Sequence, residues 1–140
     1  MAFNGKLIEL KTGSSYVTFP TKYVKSESYK ITPDQRMESS ANRSATGVLK
    51  RTTVAHTASK IDFDTTVLTN REVADITGKL SAAYTDSLQR KLDLRYYDPA
   101  TDSYKTGTFY VPDIDYDIMR IDKINNIIHY NSIRIAFIEY

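Results

Sequence analysis

The chain has 140 residues, of which 41% are hydrophobic and 26% charged, the composition of one soluble globular domain spanning 1–140. It contains no cysteine, which excludes disulfides, thiol chemistry and cysteine-held metals. The net charge of +2 hides an asymmetry: residues 1–60 carry ten Lys/Arg against four Asp/Glu, and residues 61–140 carry nine against thirteen. Such a dipolar chain suits head-to-tail pairing with its own copies or the steering of a partner. The opening MAFNGKLIEL lacks the basic-then-apolar order of a signal peptide, and no apolar run is long enough to span a membrane. Eleven tyrosines and five phenylalanines, with no tryptophan, fit half-buried sheet faces and protein interfaces.

In chain order, KLIEL after the turn-like Asn4-Gly5 predicts a short strand, broken by GSS. YVTF, residues 16–19, predicts a second strand, stopped by Pro20. YVKSESYKI, residues 23–31, alternates enough to suggest an exposed strand. Residues 32–47 are polar, rich in Ser, Asn and Thr, and offer almost nothing to bury. They are predicted to form a long loop, a polar arm that orders against a neighbouring subunit. VLKRTTVAHT returns to strand character with impure alternation. KIDFDTTVL is cleaner, with Ile61, Phe63, Thr65 and Val67 on one face.

One helix is predicted at about 70–88. Thr69 and Glu72 have the spacing of a capping box, and Val73, Ile76, Leu80, Ala83, Tyr84 and Leu88 recur at helical intervals. From residue 90 the chain reads as strand. KLDLRYY places Leu92, Leu94 and Tyr96 opposite Lys91, Asp93 and Arg95. DPATDS turns, with Asp98 bonding nearby amides, and YKTGTFYV returns. DYDIMRI reads as a strand partly covered on both faces, DKINN as a turn, and IIHY and SIRIAFIEY as closing strands, the last one central. Six to nine strands and one helix, without strand–helix alternation, predict a mainly β fold: an antiparallel β-sandwich or barrel with one packed helix.

Catalytic, cofactor and metal signatures are absent. Asp113, Asp115 and Asp117 have the first spacings of a calcium loop. Its sixth position is Ile118 instead of glycine and its glutamate is missing, so a solvated or partner-facing acidic stripe explains them better. His56 and His129 are far apart and read as structural. No nucleophile elbow, dinucleotide loop or P-loop occurs. The reading is therefore no enzyme, no cofactor and no metal. Two alternatives to assembly stay open: a monomeric carbohydrate- or cell-wall-binding β domain, and a nucleic-acid-binding protein using the basic N-terminal half.

The series LDLRYYDPATDSYKTGTFYVPDIDY, the closing IRIAFIEY and the early FNGK resemble small proteins encoded in tail gene modules of bacteriophages and prophages of Gram-positive bacteria. The residues carrying the resemblance are Tyr97, Asp98 and Pro99, then Thr108, Phe109, Tyr110, Val111 and Asp113. It covers residues 50–140 well and the polar arm poorly. The architecture is also similar to that of phage tail-tube and tail adaptor subunits. The resemblance implies a virion protein, assembled in the host cytoplasm, that forms rings with its own copies and meets neighbouring tail proteins. DNA would pass a lumen without specific binding. On that reading the interface residues are Arg36, Arg43, Val48, Leu49, Lys50, Arg51 and Val54. Asp113, Asp115 and Asp117 would meet a neighbour's basic groups or line a channel.

Overall fold

A computed structural model of the chain describes residues 3–43, 47 and 49–140, with the backbone alone for 36–43 and 49–57. Eleven strands and one helix follow in order: β1 Ile8–Thr12, β2 Ser15–Thr18, β3 Lys30–Arg43, β4 Leu49–Asp64, β5 Leu68–Thr69, α1 Asn70–Ala83, β6 Tyr84–Asp86, β7 Lys91–Asp98, β8 Ser103–Tyr110, β9 Ile118–Asp122, β10 Ile127–Tyr130 and β11 Arg134–Glu139. The predicted mainly β class holds. Two sheets form a sandwich-like arrangement with one major helix, and the described strands do not close a barrel. The strand count exceeds the expected six to nine because β5 and β6 are too short to leave a periodic signal.

The larger sheet has the order β2-β1-β7-β8-β11-β4-β3, with β6 added beside β7; the smaller is β5-β10-β9. Every pairing is antiparallel. Period-two alternation does what it predicts in β7, where Leu92, Leu94 and Tyr96 are buried and their neighbours are half-buried. β11 lies between β8 and β4, as its two apolar faces suggest. Ile133, Ile135 and Phe137 enter the core with Ile8, Leu10, Phe19, Ile61, Phe63 and Phe109. Phe19 meets Phe63 edge to face at 5.4 Å, as Phe109 meets Tyr96.

The helix begins as predicted. The Thr69 side chain accepts from the Glu72 amide at 3.4 Å, and the Glu72 carboxylate accepts from the Thr69 amide at 3.0 Å. Ile76, Leu80 and Ala83 press on the core. The helix stops at Ala83, short of 88. Tyr84 turns extended, and Asp86 then accepts the amides of Leu88 and Gln89 in a side-chain-closed turn. Leu88, assigned to the buried stripe, is 93% exposed. Among the described residues no helix is long and apolar enough to cross a membrane.

Two other expectations are corrected. The strand expected over 23–31 is replaced by the end of one single 3-10 turn, Thr21–Tyr23, and by a second, Ser26–Ser28, before β3 begins at Lys30. Ser28 explains the break, because its hydroxyl bonds the Lys25 carbonyl at 2.6 Å and accepts the Asp64 amide at 2.8 Å. Residues 32–47 are not a structureless loop. β3 runs to Arg43 and pairs with β4 from Lys30↔Asp62 to Arg43↔Leu49. The polar arm is a β-hairpin, since a ladder satisfies backbone groups whatever the side chains. Ser44, Ala45, Thr46 and Val48 lie outside the described residues.

Candidate interaction surface

The arm leaves the body at a bulge between Thr32 and Gln35, and Asp34 takes φ 49 there. A chain of polar contacts fixes this root. The Asp34 amide donates to Ser59 Oγ at 3.0 Å, and that hydroxyl lies 3.2 Å from Tyr96 Oη. The Ser59 amide donates to Glu139 Oε1 at 2.8 Å, tying the root to β11. Lys105 Nζ bridges Asp34 at 3.1 Å and Asp98 at 2.8 Å. Asp98 is fully buried and also accepts from the Ala100 amide at 2.9 Å and Thr101 Oγ1 at 3.2 Å. Its burial opposes ionisation, yet the Lys105 ammonium and the Ala100 amide hold its carboxyl below the usual range. The same two carboxylates raise the Lys105 ammonium. The turn-forming role predicted for Asp98 is what the geometry provides, with an added one: it anchors the lysine that holds the arm root.

Gly107 belongs to this arrangement. A Cβ there would lie 2.5 Å from Glu139 Oε2 and 2.9 Å from the Phe109 ring, so the missing side chain leaves room on β8 for the Glu139 carboxylate, whose other oxygen accepts the Ser59 amide of β4. At the far end of the sheet Glu9, also buried, pairs with Arg95 across the Glu9↔Arg95 register and with Lys6 at 3.3 Å. The Arg95 guanidinium holds the Glu9 carboxyl below its ordinary value and stacks on Tyr16 at 4.1 Å.

Beyond its root the arm's described ladder meets no third strand. β4 pairs with β11 only over Lys60–Asp64, and among the described residues β3 pairs with β4 alone. The segment 35–43 with 49–58 is thus a two-stranded ribbon, about 30 Å long at about 3.3 Å per residue, with two open edges. Arg36, Arg43, Leu49, Lys50, Arg51 and Val54 all lie on its backbone. Val48 lies outside the described residues.

Asp113, Asp115 and Asp117 are exposed on the connection between β8 and β9, not on a strand. Asp113 is paired with Arg90. With Ser132 and Arg134 the three line a cleft of about 210 Å³. Among the described residues no group of three or more His, Asp or Glu is placed to hold a metal. His129 Nε2 lies 3.1 Å from Arg120 Nη2, across the strands.

Sequence reasoning placed a strand at β9 but missed its exposure. DYDIMRI was expected to be partly covered on both faces, yet residues 115–121 are all exposed. Ile118, Met119 and Ile121 are 53%, 49% and 55% exposed, beside exposed Tyr116 and Ile124. Alternation sends Ile118 and Met119 to opposite faces, so the strand is bare on both. β9 is also the outer strand of the smaller sheet, and among the described residues only β10 pairs with it. Apolar residues on both sides of a strand suggested cover on both sides, but the sequence alone does not say what lies over them.

No curated protein and no solved structure is significantly similar to this chain. A family model described as a family of unknown function (DUF6711) matches residues 1–140, so the chain, with its anchored hairpin arm and bare edge strand, belongs to that family.

Proposed function

We propose that the protein is a structural subunit that assembles with its own copies through the hairpin arm, as a component of a phage tail. The observation that carries this reading is the arm itself. A two-stranded ribbon is at best marginally stable alone in water. Here one extends about 30 Å past its last sheet partner on a root fixed by Ser59, Lys105 and Glu139. A rigid root on a ribbon with open edges aims it outward, and edges of this kind are satisfied by another chain. The tail-module motif supports the virion setting: Asp98 and Pro99 build the turn and Phe109 the core beside the arm root. Joined arm to body, copies form a heterologous contact, which closes into a ring when the rotation permits.

The test is mass under native conditions across concentration, for the full chain and for a variant in which residues 37–56 are replaced by Asn-Gly. That variant joins Arg36 to Thr57, which already face each other, and keeps the root. The full chain is expected to form discrete oligomers and the variant to stay monomeric with an unchanged fold. A full chain monomeric at every concentration, or a shortened one that assembles equally well, would defeat the reading.

A further inference from the structure

We propose that the receptor for the arm is the β9 edge of a second copy of this chain; this rests on the assembly reading above. β9 offers three unused surfaces at once: two faces bearing Ile118, Met119 and Ile121, and an outer edge without a partner strand among the described residues. The five residues of β9 match a fraction of the arm's open edges, so the ribbon can add to it as further strands. Backbone pairing then closes edges on both molecules, and side chains of the added ribbon flank the isoleucines and the methionine on each face.

Charge selects the occupant. Residues 35–57 carry Arg36, Arg43, Lys50 and Arg51 against Glu38 alone. The receptor side, 113–124, carries Asp113, Asp115, Asp117 and Asp122 against Arg120 and Lys123. Asp113 is occupied by Arg90, but among the described residues Asp115 and Asp117 form no ion pair. A basic ribbon meeting an acidic margin has its approach steered and its register biased. Two β9 edges facing each other would bring like charges together, which disfavours a symmetric pair. Arm and receptor are different surfaces of one chain, so each copy both gives and takes.

The experiment mixes two variants. One is the Asn-Gly shortened chain, which keeps its receptor. The other is Ile118→Ser with Ile121→Ser, which keeps its arm and changes only exposed side chains. Each alone is expected to be monomeric and to melt in one cooperative transition, and an equimolar mixture to give a one-to-one heterodimer by native mass. A second receptor variant, Asp115→Lys with Asp117→Lys, lies outside any strand and is expected to weaken assembly about tenfold or more. If the shortened chain is monomeric while both receptor variants assemble as the wild type does, the receptor is elsewhere and only this inference fails. A mixture that yields no heterodimer defeats it equally. If the shortened chain assembles normally, or the full chain never does, the assembly reading fails and takes the receptor with it.

Discussion

The β7–β8 and β9–β10 hairpins use the same turn and meet opposite fates. Each has a four-residue loop opened by an aspartate, Asp98 or Asp122, whose carboxylate accepts a backbone amide two residues on. Each loop closes on a residue at positive φ, Asp102 at 48 or Asn126 at 55. Yet Leu92 and Leu94 of β7 are sealed, while Ile118 and Ile121 of β9 stand half bare. Local chemistry decides that a hairpin forms. What lies over it decides whether it holds the molecule together or waits for another.

Measurements at β7, at the Asp98 turn, at Gly107 and at β9 would break or sharpen this contrast. The largest effect is expected in β7, where Leu94→Ala removes a fully packed side chain and should cost about 3–4 kcal/mol in urea unfolding. Next is the turn: Asp98→Ala strips Lys105, Thr101 and the Ala100 amide of their shared acceptor and should cost about 2–3 kcal/mol. Asp122→Ala, on an exposed turn, should cost clearly less by the same measurement. The buried carboxylate also predicts a pH signature. Its folded pKa is lowered, so its contribution is fully present above the unfolded value of about 4 and fades as pH falls through the folded one. Asp98→Asn should flatten the acid limb of a stability–pH curve; an unchanged limb would locate acid sensitivity elsewhere, with Glu9 the next group to replace.

Third, Gly107→Ala pushes a methyl group at the Glu139 carboxylate and the Phe109 ring and should cost about 1–2 kcal/mol by thermal melting. The smallest effect belongs to β9. Ile121→Ala should shift the stability of the monomer by less than about 0.5 kcal/mol, because half its surface is already in water. A loss comparable to that at Leu94 would mean that β9 is a core strand after all.

The same contrast explains what was readable in advance. Positions decided by local rules were legible: the capping box at Thr69 and Glu72, the Asp98 turn, and the alternation of β7 and β11. Alternation reports a buried face, so the arm's first strand, polar and without a clear apolar face, read as a loop although its ladder with β4 is continuous but for three register shifts. The helix end was misjudged because Leu88 kept the periodicity after Asp86 had already closed the chain into a turn. The root network joins Asp34, Ser59, Tyr96, Asp98, Lys105 and Glu139 from five segments, and no spacing along the chain could announce it.

A bare, apolar, unpaired strand is also the kind of element that seeds indiscriminate clumping. Here the danger is moderated from within. Asp115, Asp117, Arg120, Asp122 and Lys123 alternate with or flank Tyr116, Ile118, Met119 and Ile121, so no uncharged run is long enough to stack into a fibre. The acidic excess of 113–124 also sets a mismatch against a stray acidic strand or a second β9 edge. On the assembly reading proposed above, hydrophobic contact at β9 would then be kept for an incoming segment whose charges fit.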